Sequence, residues 1–110
     1  MKPIQWLGNT HKIVRGYLPS VRQEIGYNLD KVQRGFEPFD WKPITSVGPG
    51  VKEIRIHADN EYRILYVAKF TEAIYILHSF VKKTQQTSQK DIDLGKERYL
   101  EILNLRRISK

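Results

Sequence analysis

The 110-residue sequence contains no cysteine, which excludes disulfide bonds and thiolate metal sites. Its three histidines, His11, His57 and His78, lack the spacing of zinc ligands, so we predict neither a metal centre nor a cofactor. No apolar run approaches the roughly 20 residues that span a bilayer, and the N-terminus lacks the apolar region and cleavage site of a signal peptide. We therefore expect a cytoplasmic protein without a membrane segment.

Acidic residues are in the minority, because 12 Asp and Glu stand against 19 Lys and Arg and leave a net charge of +7. The net charge is +3 over residues 1–50, zero over 51–81 and +4 over 82–110. A neutral centre flanked by basic segments can form a positively charged groove that attracts a polyanion. The charge indicates nucleic acid, an acidic protein segment or an anionic membrane as the partner, without choosing among them.

The length predicts a single domain over residues 1–110, large enough to bury a core. After a short first strand that ends at Gly8, apolar residues recur at helical steps, and Pro19 divides them into helices at about 10–17 and 19–34. Ser20 with Gln23 resembles a capping box for the second helix. The apolar residues of the helical stripe are Val14, Leu18, Val21, Ile25, Leu29 and Val32.

The centre of the chain predicts an antiparallel three-stranded meander at 51–57, 61–70 and 73–81, because the connectors are short enough for hairpins. Before it, residues 36–50 are rich in proline and glycine and predict a loop with Phe36, Phe39 or Trp41 packed inside. A C-terminal helix follows, with Ser88 as N-cap, Asp91 at its third position and Arg98 outside its apolar stripe. The basic run 104–110 is expected to fray. The fold class is α+β.

Cationic side chains stand on or beside the central strands. Strand alternation places Glu53, Arg55 and His57 on one face, and an arginine at position 63 lies inside a strand that is otherwise apolar. A buried arginine needs a partner, so Arg55 and Arg63 are either paired with acids such as Glu53 and Glu61 or available to a ligand. The last strand of the meander contains His78 and ends at Lys82 and Lys83, which are either solvated strand ends or phosphate contacts. His78 is either a hydrogen-bonded core histidine or a catalytic group.

Together, these residues match the requirements of RNA cleavage without a metal ion. A base activates the ribose 2′-OH, cations stabilise the charge that builds on the phosphate oxygens, and an acid protonates the leaving 5′-oxygen. RNA is the natural substrate because its own 2′-OH is the nucleophile. Binding of the RNA backbone should weaken steeply with salt.

Several segments resemble the phage-derived branch of the RelE/HigB toxin superfamily. They are VGPGVKEIRI, EYRILYVAKF and IYILHSFVKKTQQTSQKDIDLGKERY, with GYNLDKVQRGFEPFDWKPI upstream. The similarity covers about residues 14–99, and its most distinctive features are E-[IL]-R, YR-[IV]-LY and [LV]-H-x-F-x-KKT in successive strands. The resemblance implies a RelE-like fold and a type II toxin that cleaves mRNA in the ribosomal A site and inhibits translation. It also implies a cognate helix-turn-helix antitoxin, encoded beside the toxin.

The resemblance also implies roles for individual residues. It makes Arg63 the contact of the scissile phosphate, gives Lys82 and Lys83 a similar role, and places Arg55 at the arginine of E-[IL]-R. The proton-transfer group of related toxins is often a Tyr or His near the C-terminus, where this chain has only Tyr99, so His78, Lys82 and Tyr99 are candidates, with Glu53 behind them. Further candidates for RNA contacts are Lys52, Lys69, Thr84 and Lys90.

Two other functions are compatible with the sequence. ParE toxins resemble this fold but act by binding DNA gyrase, and the basic cluster would then be a protein-binding surface. The chain could also be an RNA-binding or structural protein of phage origin that has no catalytic activity.

Overall fold

The computed structural model describes residues 1–108 as an α+β fold, which confirms the predicted fold class. Five strands and three helices make up the described chain. In chain order they are β1 (Ile4–Trp6), α1 (Thr10–Arg15), α2 (Pro19–Gln33), β2 (Trp41–Pro43), β3 (Val51–His57), β4 (Glu61–Val67), β5 (Ile74–Lys82) and α3 (Gln89–Ile108).

The strands form one mixed sheet in the order β1-β5-β4-β3-β2. β1 runs parallel to β5, and the other neighbours are antiparallel, so β3, β4 and β5 form the predicted meander. The register of β4 and β5 shifts at Leu65 and Tyr66, which pair with His78 and Ile76 and leave Leu77 as an extra residue. Beyond this bulge the register is regular, and His78, Phe80 and Lys82 alternate onto the face that carries Arg63.

Each face of the sheet packs into its own apolar core. Helices α1 and α2 cover one face, where Ile25 and Leu29 contact a cluster that includes Ile54, Ile64 and Ile76. Helix α3 covers the opposite face with Tyr99 and Ile102, which pack in a cluster with Leu65, Val67 and Leu77. The two central strands are therefore apolar on both faces, as their sequences predicted.

The helices lie close to their predicted positions, but one cap and one stripe residue differ from the prediction. Helix α2 begins at Pro19 with Leu18 as its N-cap, so the capping box predicted at Ser20 does not form. Leu18 is half exposed because it precedes the helix, whereas the other five residues of the predicted stripe are buried. At α3 the prediction is confirmed, because the Asp91 amide donates to Ser88 Oγ at 3.2 Å.

Three other predictions were wrong in part. Residues 41–43 of the predicted loop form β2, which pairs with β3. Of the three aromatic residues offered for packing inside, Phe36 and Phe39 are exposed, whereas Trp41 is half-buried. Arg98, predicted outside the stripe of α3, is buried and donates to the Leu77 carbonyl and to Asn9 Oδ1. Residues 104–108 of the predicted run 104–110 continue α3 instead of fraying, and residues 109 and 110 lie outside the described part of the chain. Among residues 1–108, no helix combines the length and apolar character needed to cross a bilayer.

Candidate functional site

Four cationic side chains from neighbouring strands line one open cavity of about 470 Å³. Arg55 comes from β3, Arg63 from β4 and Lys82 from β5, and Lys83 follows at the end of β5. We call this site the cationic cavity. Its lining residues are Arg55, Glu61, Arg63, Lys82, Lys83, Thr84 and Gln85.

The register of the sheet explains why these side chains meet. Arg55 is directly opposite Arg63, and Glu61 is directly opposite Lys82. These two pairs therefore project from the same face of the sheet. This is the face that α3 covers farther along, yet none of the residues that line the cavity belongs to α3. The cationic end of the face therefore remains open.

The two arginines share a buried carboxylate. Glu53 is fully buried, and its Oε1 lies 3.6 Å from Arg63 Nε and 3.9 Å from Arg55 Nε. Arg63 also donates from Nη2 to Glu61 Oε1 at 3.2 Å and from Nη1 to the Tyr62 carbonyl at 3.0 Å. Like charges directly opposite each other in a sheet repel, so the Glu53 carboxylate makes the Arg55 and Arg63 pair tolerable. The ion pairs considered from the sequence do form.

Lys82 and Lys83 supply the charge that is free to act on a ligand. Neither lysine forms an ion pair or hydrogen bond with another of residues 1–108. Partial burial lowers the pKa of Lys82, the Glu53 carboxylate opposes this, and the positive charges of Arg63, Lys42 and Arg55 add to the lowering. An ammonium with a lowered pKa gives up its proton more readily than an ordinary lysine.

Glu61 is the acidic group on the wall of the cationic cavity. Desolvation raises its pKa, but hydrogen bonds from His57 and Arg63 and their positive charges outweigh this and lower it. His57 lies between two carboxylates, with Nδ1 2.5 Å from Glu61 Oε1 and Nε2 2.7 Å from Asp40 Oδ2. The hydrogen bond with Asp40, and then the one with Glu61, raise the pKa of His57, and desolvation opposes them.

The other two predicted catalytic residues, His78 and Tyr99, do not line the cationic cavity. His78 is buried, stacks on Phe80, and has its Nε2 2.7 Å from Asp91 Oδ1. It is therefore a hydrogen-bonded core histidine, which is one of the two alternatives that the sequence left open. Burial lowers the pKa of His78, against the opposing effect of Asp91. Tyr99 is buried in the core beneath α3 and donates to the Pro49 carbonyl at 2.9 Å.

The four candidates for RNA contacts are dispersed. Thr84 lines the cationic cavity and donates to the Gln86 carbonyl at 2.7 Å. Lys52 pairs with Glu37 and lies over the Trp41 ring, and Lys69 lies over the rings of Phe70 and Tyr99. Lys90 is exposed on the first turn of α3.

Sequence reasoning did not single out Glu61 as a member of the site or His57 as the partner of Glu61. The signal was available, because the short connector between β3 and β4 pairs the last residue of one strand with the first of the next, and these are His57 and Glu61.

Within residues 1–108, no three His, Asp or Glu side chains cluster in a way that could hold a metal ion.

A protein-family model supports the resemblance that the sequence suggested. The model described as "Phage derived protein Gp49-like (DUF891)" matches residues 15–100, nearly the range over which the resemblance was seen. No curated protein matches the chain.

Proposed function

The chain belongs to the Gp49-like family of phage-derived proteins, and we propose on that premise that it is the toxin of a type II toxin-antitoxin module. Gp49-like proteins are RelE/HigB-like toxins, which supports the proposal. The proposed activity is ribosome-dependent, metal-independent cleavage of translated mRNA, which inhibits translation. Its proposed protein partner is a helix-turn-helix antitoxin encoded beside it.

The observation that carries the proposal is that three cations from successive strands, and Lys83 directly after the last strand, line one open cavity. Phosphodiester cleavage builds negative charge on the phosphate oxygens, and positive groups fixed in advance around that position lower the barrier. Lys82 and Lys83 can donate to those oxygens, because neither is paired with another of residues 1–108. Arg63 is almost fully buried, so in this proposal it orients Glu61 and adds positive charge behind the two lysines.

Two residues of the cationic cavity can exchange the protons of the reaction. The carboxylate of Glu61 accepts the proton of the ribose 2′-OH, and the 2′-oxygen forms its bond to phosphorus. The bond from phosphorus to the 5′-oxygen breaks, and the ammonium of Lys82 donates the proton that this oxygen needs. The products are a 2′,3′-cyclic phosphate and a free 5′-OH. Of the predicted proton-transfer candidates, only Lys82 lines the cavity.

The test is to map transcript 5′ ends by primer extension after induced expression, with translation running and with translation blocked. We expect new ends inside translated regions with the wild-type protein, and only while translation runs. The double variant Lys82→Ala/Lys83→Ala should lose them. The matched control is Lys12→Ala/Lys96→Ala, which likewise removes two positive charges, here from exposed lysines, but leaves the cationic cavity intact.

Two results would overturn the nuclease proposal. One is the absence of new ends with a wild-type protein that arrests growth. The other is equal loss of ends in both double variants. If the wild-type protein inhibits DNA supercoiling by gyrase and the cavity variant does not, the cavity is a protein-binding surface instead.

A further inference from the structure

A second cavity, of about 590 Å³, shares a wall with the cationic cavity, because Arg55 lines both. We call it the aromatic cavity. Three of its residues come from α2, two precede β2 and two belong to β3. Its lining residues are Glu24, Tyr27, Asn28, Phe39, Asp40, Arg55 and His57.

Two large aromatic side chains of this cavity face solvent. Phe39 is 85% exposed and Tyr27 is 67% exposed, so neither is held in place by burial in the core. Exposed aromatic rings beside a backbone-binding groove are the usual platform on which single-stranded bases stack.

The backbone around Phe39 is held in position by specific hydrogen bonds. The buried Asn28 side chain accepts from the Phe39 amide at 2.8 Å and donates to the Glu24 carbonyl at 2.9 Å. The amide of Arg55 donates to the Asp40 carbonyl at 2.9 Å. These bonds fix the Phe39 segment to both α2 and β3, so its ring is presented before any ligand arrives.

The charges of the aromatic cavity differ from those of its neighbour. Glu24 and Asp40 add carboxylates, which repel a phosphate and accept hydrogen bonds from donors. Asp40 is already bound to His57, whereas the Glu24 carboxylate has no hydrogen-bond partner among residues 1–108. A free carboxylate accepts well from the exocyclic amino group of adenine, cytosine or guanine. Uracil presents carbonyl oxygens there and would be repelled.

We propose that the aromatic cavity binds one unstacked RNA base that carries an exocyclic amino group, next to the phosphate held in the cationic cavity. The base stacks on Phe39 or Tyr27, and Glu24 accepts a hydrogen bond from its amino group. This inference rests on the proposed function, because it takes the occupant of the cationic cavity to be RNA.

The test uses four 2′-O-methyl oligonucleotides, UUXUUU with X = A, C, G or U, which cannot be cleaved because they lack the 2′-OH nucleophile. Their dissociation constants with the wild-type protein are measured by fluorescence anisotropy. We expect the A, C and G oligonucleotides to bind about tenfold more tightly than the all-uridine one. Glu24→Gln should reduce this difference to less than about threefold, because the amide can also donate to a uracil carbonyl.

Phe39→Ala should weaken binding of the A, C and G oligonucleotides by about tenfold, because it removes the ring on which the bound base stacks, and should affect the all-uridine oligonucleotide less. The matched control is Phe36→Ala, which removes an exposed phenylalanine of the same segment that does not line the aromatic cavity. We expect it to change binding by less than about twofold.

Several results would overturn the base site. They are equal affinity for all four oligonucleotides, no binding of any, or equal weakening by Phe39→Ala and Phe36→Ala. If Phe39→Ala instead disrupts the complex with the adjacent helix-turn-helix antitoxin and leaves oligonucleotide binding intact, the cavity docks a protein. A base preference in a protein that produces no transcript cleavage would refute the nuclease proposal and leave the base site standing.

Discussion

Glu53 and Arg63 form a buried ion pair, with 3.6 Å between Oε1 and Nε, on the face of the sheet that carries the cationic cavity. The Glu53 side chain is fully buried, and the Arg63 side chain is 4% exposed. Because Arg55 shares the same carboxylate, Glu53 compensates two guanidinium groups at once. Charge pairing in the core thereby places positive charge at the wall of the site.

Replacing Glu53 should destabilise the protein strongly. Glu53→Gln keeps the size of the side chain but removes the only carboxylate among residues 1–108 that Arg55 and Arg63 share and leaves Glu61 to pair with Arg63 alone, so we expect the free energy of unfolding to fall by about 3 kcal/mol. Urea denaturation measures this. Glu37→Gln is the control, because the pair of Glu37 with Lys52 is exposed and should contribute less than about 1 kcal/mol. Equal effects of the two variants would show that the buried pair does not stabilise the fold.

Removing the two cavity lysines should reduce the salt dependence of RNA binding. Each phosphate contact on single-stranded RNA contributes about 0.7 to the slope of log affinity against log salt concentration, so Lys82→Ala/Lys83→Ala should lower its magnitude by about 1.4. Titrations at several salt concentrations measure the slope. The Lys12→Ala/Lys96→Ala control should keep the wild-type slope, and a comparable decrease there would show that the lysines act only through net charge.

Glu61→Gln should lower the rate of RNA cleavage about 100-fold or more, because a neutral amide cannot accept the proton of the 2′-OH. His57 and Arg63 lower the pKa of Glu61, so wild-type activity should persist somewhat below pH 4.5, the ordinary value for a glutamate. The pH profile of cleavage on programmed ribosomes checks this. Glu72→Gln, which removes a partner of Arg106 outside the cavity, should leave the profile unchanged. A Glu61→Gln variant with wild-type activity would remove Glu61 from the mechanism.

The two sheet histidines should titrate on opposite sides of the ordinary histidine pKa of about 6.5. Carboxylates raise the pKa of His57, so its stabilising effect is complete below about pH 6.5 and is lost as the pH rises through its folded pKa. Burial lowers the pKa of His78, so its effect is complete above about pH 6.5 and is lost as the pH falls through its folded pKa. NMR titration of the imidazole resonances measures both, and Asp40→Asn should lower only the pKa of His57. The reverse order of the two values would contradict the proposed contacts.

Removing the cap of α3 should cost about 1 kcal/mol of stability. Ser88 Oγ accepts from the Asp91 amide at 3.2 Å, and Asp91 in turn binds His78, so the cap also anchors α3 to β5. Ser88→Ala loses the first contact, which thermal or urea denaturation detects. Ser20→Ala is the control, because Ser20 does not cap α2, and its effect should stay below about 0.5 kcal/mol. If Ser20→Ala costs as much as Ser88→Ala, the assignment of the caps is wrong.

Most of the helices and strands could be predicted from local patterns. The spacing of Val21, Ile25 and Leu29 repeats once per helical turn, so it marks α2 wherever the helix packs. The three residues of β2 carry no such repeat, and they become a strand only because β3 offers them hydrogen bonds. Arg98 was misplaced for a similar reason, since its partners Asn9 and the Leu77 carbonyl are distant in sequence.

The sequence by itself determined which residues are cationic, which strands are apolar, and that Arg55, Arg63 and Lys82 stand on or at the end of successive strands. Periodicity and chemical type are local properties, so they can be read without knowing the partners of a segment. Only the tertiary structure decided that Arg55 is opposite Arg63, that Glu53 lies beneath both, and that Phe39 is exposed beside them. These relationships depend on strand register and on the docking of α2, both of which result from contacts between residues far apart in the chain.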